Sequence, residues 1–144
     1  MNHSQDDCIF CKIIAGNSPS SKLFEDDDVY VFLDVQPVNS GHTLIIPKLH
    51  TELIGELSDE LLGKLMVTAK KVEEMIKKTS LKAEGFNLFL ADGEAAFQEV
   101  FHVHLHVIPR FNGDGFGLTF PRGYENKPSK EELEKVCTEI RENQ

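Results

Sequence analysis

Residues 101–110, FHVHLHVIPR, constrain the fold more than any other stretch, because two kinds of side chain alternate along them. Successive side chains of an extended strand point to opposite faces. One face would carry three imidazoles between two aliphatic residues: Val100, His102, His104, His106 and Ile108. The other would be wholly apolar: Phe101, Val103, Leu105 and Val107. The pattern predicts a strand from Val100 to Pro109 that packs one face in the core and uses the other for chemistry.

Three further strands are expected. Residues 29–33 follow an acidic turn and are interpreted as an alternating strand, and residues 43–46 form a second one, opened by Gly41 and closed by Pro47. A hairpin is expected to join the two. Residues 86–90 have a similar apolar character and precede the loop ADGEAAFQE.

Two helices are also predicted. Apolar residues recur at helical spacing from Leu61 to Ile76, and Ser58 stands where an N-cap is expected. Ser129 and Glu132 form a possible capping box for a helix that runs to about Glu142. Because strands outnumber crossovers, we predict an α+β fold, an antiparallel sheet of about five strands with one long helix and a C-terminal helix.

Composition limits the classes of function. A chain of 144 residues, 40% of them hydrophobic, suits a single domain over residues 1–144, with its motifs in residues 8–111 and a C-terminal extension over 112–144. The formal charge of −9 opposes binding to nucleic acid. The sequence contains no export signal and no apolar stretch long enough to cross a membrane. We therefore expect a cytoplasmic protein without a nucleic-acid or membrane partner.

The three cysteines do not suit a framework of paired disulfides. Cys8 and Cys11 form a Cys-x-x-Cys pair, which fits a metal site or a redox couple. Nothing around the pair is typical of a thioredoxin-like βαβ unit, so the metal interpretation is favoured. Cys137 lies in a helical pattern and is expected to be a buried thiol.

The segment His102-Val103-His104-Leu105-His106-Val107-Ile108 resembles the signature of the histidine triad (HIT) family of nucleotide hydrolases and transferases. The stretches CIFCKII, VFLD and GHTLIIPKLH and the loop that ends at Gln98 occur in the family's order and at its spacings. The similarity covers residues 8 to 111, and it is closest to the prokaryotic zinc-containing type.

The resemblance implies a mechanism in which an imidazole attacks phosphorus and forms a covalent nucleotidyl-histidine. His104, the central histidine, would be the nucleophile, and His106 would contact the phosphate oxygens or the leaving group. Gln98 would bind the phosphate or place the attacking water, and His42 would orient His104 or the phosphate. The implied activity is that of a nucleotide phosphoramidase or a dinucleoside polyphosphate hydrolase.

The resemblance also implies the nucleotide-binding and metal-binding residues and a homodimer. Asp34 would accept the ribose hydroxyls of a purine, adenosine-type nucleotide. The base pocket would be lined by Phe10, Ile13, Phe32 and Leu33. The Cys₂His₂ site of the zinc-containing members would comprise Cys8, Cys11, His50 and His102. Such a closed site would make zinc a structural cofactor.

Three residues depart from the family's pattern: Phe97 where many members have glycine, Glu99 where a small hydroxyl residue is common, and Ala91 in place of asparagine. Phe97 and Glu99 flank Gln98 and would alter the side of the site that holds the leaving group.

Two alternatives remain open. One is a noncatalytic nucleotide-binding or interaction module that keeps the HIT fold. The other is a cupin-type metalloenzyme that uses His-x-His, although the first acidic residue after His106 is Asp114.

Overall fold

The computed structural model describes residues 5–143. Five strands and three α-helices form within these residues, together with single turns of 3₁₀-helix. In chain order they are α1 (Ile9–Ile14), β1 (Lys22–Glu25), β2 (Val29–Leu33), β3 (Thr43–Pro47), α2 (Asp59–Lys77), β4 (Gly85–Phe89), β5 (Leu105–Arg110) and α3 (Lys130–Glu142).

The five strands form one sheet in the order β1-β2-β3-β5-β4. Every neighbouring pair is antiparallel, which confirms the predicted α+β class with a five-stranded antiparallel sheet. The expected hairpin is β2 and β3, in which Leu33 lies opposite Thr43 and Val29 opposite Pro47. Helix α1 and strand β1 were not predicted, because each is short and has no strong periodicity.

Helix α2 packs across one face of the sheet, against β3 and β5. The Ser58 side chain accepts a hydrogen bond from the Leu61 amide, so the predicted N-cap is confirmed. The other face of β2 and β3 packs against α1, with Phe10 and Ile13 beside Tyr30 and Phe32. Strand β2 is therefore covered on both faces, and the alternating burial expected of residues 29–33 is wrong.

The strand predicted from Val100 begins only at Leu105. Upstream of it, the His102 amide bonds to the Val100 carbonyl (2.9 Å), and the Val103 amide bonds to the Thr51 carbonyl (2.7 Å). These bonds replace a strand ladder. Hence His102 and His104 lie in an irregular segment that leads into β5, and His106 lies within β5.

The chain forms two compact units, one up to Asp114 and one from Gly115 onward. In the second unit α3 has the predicted capping box, formed by Ser129 and Glu132. Cys137 is exposed on α3, so the expectation of a buried thiol is wrong. It was wrong because the apolar stripe of α3 is itself exposed. The single-domain organisation stays a prediction.

No helix within residues 5–143 has the length and apolar character that crossing a membrane requires.

Candidate active site and metal centre

A pocket of about 600 Å³ opens beside the histidines, on the face of the sheet that α1 covers. Six of the sequence-predicted site residues line it: Phe10, Ile13, Phe32, Asp34, His104 and His106. Leu33, His42 and Gln98 are not among the lining residues. Leu33 follows Phe32 in β2 and so faces the opposite side of the sheet.

His104 is held in one tautomer by the backbone. Its Nδ1 lies 2.7 Å from the carbonyl oxygen of His102, and a carbonyl can only accept, so Nδ1 carries the proton. Nε2 therefore keeps its lone pair. Burial lowers the pKa of His104, against the opposing effects of that hydrogen bond and of the charges on Asp34 and Glu99. The side chain is thus a neutral, oriented imidazole with a free basic nitrogen.

A hydrogen bond of fixed direction joins the imidazoles of His42 and His106. The Val38 amide donates to Nδ1 of His42 (3.1 Å), so the neutral ring of His42 carries its proton on Nε2. That nitrogen lies 2.9 Å from Nδ1 of His106 and donates to it. His106 consequently carries its own proton on Nε2 and can act as a donor. Burial, and then the neighbouring His104 and His42, lower the pKa of His106 to about 4.

Asp34 faces this pair of imidazoles. Its Oδ2 lies 3.6 Å from Nε2 of His42 and 3.9 Å from Nδ1 of His106. Its Oδ1 accepts the Gln36 amide (2.8 Å), which fixes the carboxylate at the end of β2. The three side chains are close enough to surround a cation. However, Nε2 of His42 carries a proton, and a protonated nitrogen offers no lone pair to a metal, so the hydrogen bonds disfavour a metal at this point.

Gln98 is buried, and the backbone occupies both ends of its amide. Its Oε1 accepts the Gly93 amide (2.7 Å), while its Nε2 donates to the carbonyls of Glu52 (2.8 Å) and Val100 (3.2 Å). The side chain thus holds the loop before the histidines in place. Its role toward phosphate stays a prediction.

The neighbours of Gln98 reach the pocket. Phe97 has a left-handed backbone, with φ of 67°, and its side chain is 85% exposed at the pocket. Glu99 also lines the pocket. Phe89, which had no predicted role, also lines the pocket, and its ring lies 5.7 Å from that of His106. Its only sequence signal was an aromatic residue at the end of a predicted strand.

A second cluster joins the two N-terminal cysteines to two histidines. The Nδ1 atom of His102 lies 3.5 Å from Sγ of Cys8, 3.6 Å from Sγ of Cys11 and 3.3 Å from Nδ1 of His50. Sγ of Cys11 lies 3.3 Å from Nδ1 of His50. All four predicted metal ligands therefore converge, and the cluster can hold a metal ion.

The surroundings of His102 prepare it as a ligand. Its Nε2 donates to the Pro47 carbonyl (2.8 Å), which leaves Nδ1 deprotonated and facing the sulfur atoms. Burial raises the pKa of Cys11 to about 12, with a further contribution from Cys8, so the metal-free cluster keeps this thiol protonated. A bound cation would displace that proton, and binding would therefore weaken as pH falls.

Known proteins resemble this chain over nearly its whole length. The HIT domain family model matches residues 15–113. An uncharacterized HIT-like protein of Borreliella burgdorferi is 43% identical over 95% of this chain and 98% of its own. The adenosine 5'-monophosphoramidase HNT1 of Candida albicans is 38% identical over 92% of this chain and 95% of its own.

Solved structures show the same fold. A HIT family protein from Bacillus anthracis superposes with a TM-score of 0.86 at 40% identity, covering 96% of this chain and 98% of that one. A zinc-bound histidine triad family protein from Mycobacterium smegmatis gives a TM-score of 0.74 at 34% identity, covering 98% and 100%. By its family match, its relatives and its fold, the chain belongs to the histidine triad family.

Proposed function

We propose that this protein hydrolyses a nucleotide through a covalent nucleotidyl-histidine on His104. The observation that carries the proposal is the pair of fixed tautomers. His104 presents a basic Nε2 as nucleophile, and His106, fixed by His42, presents an N–H donor beside it. A neutral nucleophile and an oriented donor in one pocket are what transfer of a phosphoryl-type group requires.

The reaction divides into two displacements. In the first, Nε2 of His104 bonds to phosphorus and the bond to the leaving group breaks; a departing amine takes its proton from solvent. In the second, water bonds to phosphorus and gives up a proton to solvent, the bond to His104 breaks, and a nucleoside monophosphate is released. The net reaction consumes one water molecule. The His106 donor stabilises the charge that develops on the phosphate oxygens or the leaving atom.

The nucleoside end would lie against the apolar wall of the same pocket. Phe10, Ile13 and Phe32 line it beside Asp34, whose carboxylate can accept hydrogen bonds from ribose hydroxyls. An adenosine-type nucleotide is supported by the similarity to the adenosine 5'-monophosphoramidase of Candida albicans. Both phosphoramidates and dinucleoside polyphosphates fit this scheme, because the covalent intermediate is the same.

We further propose zinc as the metal of the cysteine-histidine cluster. Tetrahedral zinc with ordinary bond lengths separates two nitrogen ligands by about 3.4 Å, and nitrogen from sulfur by about 3.6 Å. The distances of 3.3 and 3.5 Å at His102 match these edges. With four protein ligands the ion would have no open position, so it would stabilise structure and take no part in the reaction.

The test of the catalytic proposal is His104→Ala. Because no other side chain can take its line of attack, this variant should lose turnover of adenosine phosphoramidates and diadenosine polyphosphates while nucleotide binding survives. His106→Ala should retain measurable turnover, since His106 stabilises charge without forming the bond. Intact mass spectrometry without acid quenching should find one nucleoside monophosphate on the wild type, mapped to His104.

Undiminished turnover by His104→Ala would overturn this mechanism. A wild-type protein that binds nucleotide and turns over neither substrate type would instead favour the noncatalytic nucleotide-binding module.

A further inference from the structure

The charge of the pocket is unusual for a site that receives a phosphate. Among its lining residues, all of which lie in the described part of the chain, Asp34 and Glu99 are acidic and none is lysine or arginine. The chain as a whole is also negative, with a formal charge of −9. The acidic side chains would repel a substrate with several phosphates. They would repel less a substrate that has one phosphate and a cation elsewhere in the same molecule.

Glu99 has a carboxylate that is free to meet a ligand. The side chain is exposed at the pocket, and within residues 5–143 it makes no hydrogen bond or ion pair. By contrast, Asp34 is occupied by the Gln36 amide and faces the imidazoles of His42 and His106. Glu99 is thus the lining acid that acts on His104 only through its charge and keeps its carboxylate free of hydrogen bonds for a group that enters from solvent.

Phe97 supplies an apolar surface next to this charge. It is 85% exposed, and Val35 at the same pocket is 92% exposed. A left-handed φ of 67° is costly for a phenylalanine, by about 1 to 2 kcal/mol, where glycine would be unstrained. An exposed aromatic side chain at a strained position gains nothing from burial in the chain itself, and at the pocket wall it is available for contact with a ligand.

We propose that Phe97 and Glu99 select the leaving group, favouring one that carries a positive charge on an apolar body and disfavouring anionic leaving groups. This inference rests on the proposed nucleotidyl transfer to His104 and narrows its substrate class to phosphoramidates of cationic amines. Phe97 would cover the apolar part of the leaving amine, and Glu99 would attract its distal cation. Dinucleoside polyphosphates, whose leaving groups are anionic, should be poor substrates.

The experiment uses three adenosine phosphoramidates that differ only at the far end of the leaving amine. Diaminohexane leaves a distal cation, hexylamine no charge, and aminohexanoate an anion. For the wild type at low salt we expect kcat/KM in the order cation, neutral, anion, with about a fivefold to tenfold difference at each charge step. Added salt should reduce the differences in kcat/KM among the three substrates, because Glu99 is exposed and its charge is screened.

Two variants assign the selection to these residues. Glu99→Gln should bring the three substrates to within about twofold of one another, and Glu99→Lys should reverse the order. Glu94→Gln removes the same charge from the same loop outside the pocket lining, and should leave the wild-type order unchanged. Phe97→Gly should lower kcat/KM for the hexylamine substrate by about threefold to tenfold relative to the methylamine analogue. Because glycine is unstrained in the left-handed backbone, this variant should be at least as stable to heat as the wild type.

Equal turnover of all three amidates by the wild type, or an order unchanged by Glu99→Lys, would overturn the inference and leave the proposed function standing. Failure to turn over any of the three would overturn the inference, and the proposed function would fall with it if diadenosine polyphosphates were not turned over either.

Discussion

The three triad histidines have the same side chain but differ in which ring nitrogen is available and in whether that nitrogen carries a proton. His102 donates through Nε2 to the Pro47 carbonyl, whereas His104 donates through Nδ1 to the carbonyl of His102 itself. His106 accepts at Nδ1 from His42. Each ring therefore offers something different: Nδ1 with a lone pair at His102, Nε2 with a lone pair at His104, and a protonated Nε2 at His106. Two backbone carbonyls, beside His102 and His104, and the His42 side chain, beside His106, produce these differences among identical side chains.

The low pKa of His106 predicts a pH dependence of stability. In the unfolded chain this histidine takes up a proton near pH 6.5, whereas in the folded protein its pKa is about 4. Between these values the unfolded state binds more protons, so the free energy of unfolding decreases as pH falls from about 6.5 to about 4. Replacing His106 by a side chain that does not titrate should reduce the slope of unfolding free energy against pH by up to about 1.4 kcal/mol per pH unit.

Urea denaturation of the wild type and His106→Gln between these pH values measures the difference. The glutamine keeps an acceptor for Nε2 of His42 but does not titrate. Parallel slopes for the two proteins would show that His106 has an ordinary pKa in the folded state.

Helices and strands could be predicted where apolar residues recur at regular spacing. The helix expected over Leu61–Ile76 forms as α2, since its apolar stripe covers the sheet, and β2 and β3 lie where turn residues bound them. The late start of β5 was not predictable, because it depends on the Val103 amide bonding to Thr51, a residue distant in sequence. The contact of Gln98 could not be predicted either. Its side chain donates to the carbonyl of Glu52, which is distant in sequence, and composition gives no sign of that bond.

The cysteine-histidine cluster joins residues from separate elements. Cys8 and Cys11 lie at the short helix α1, His50 follows β3, and His102 precedes β5. A helix of six residues is marginal by itself, so an ion at this cluster would fix α1 against the sheet and against the pocket wall that α1 provides.

Metal content and stability test this link. The purified protein should contain close to one zinc per chain by elemental analysis. Cys8→Ser should lower both zinc content and melting temperature, because the binding free energy of the metal contributes to folding. Its kcat at a permissive temperature should change less. Cys137→Ser makes the same replacement at an exposed thiol outside the cluster and should behave like the wild type. Protein purified without chelator and free of metal would contradict the zinc proposal.

The unit up to Asp114 has apolar side chains exposed on α2 and β4. Met66 and Val67 on α2 are 53% and 70% exposed, and Leu88 and Phe89 on β4 are 39% and 44% exposed. Strand β4 is also an edge of the sheet, so one side of its backbone lacks a strand partner among the described residues. Exposed edge strands and apolar patches are features that association commonly covers.

We therefore predict a homodimer formed through α2 and the edge of the sheet. Light scattering at micromolar concentration should give twice the chain mass of 16.2 kDa. Val67→Glu would place a charge in this interface and should shift the mass toward that of one chain, while its far-UV circular dichroism stays that of the wild type, because Val67 lies outside the core. Because Phe89 both lies on β4 and lines the pocket, loss of the dimer should also raise KM more than it lowers kcat. A wild-type mass of one chain at this concentration would contradict the prediction, and the apolar side chains of α2 would then be exposed without a partner copy.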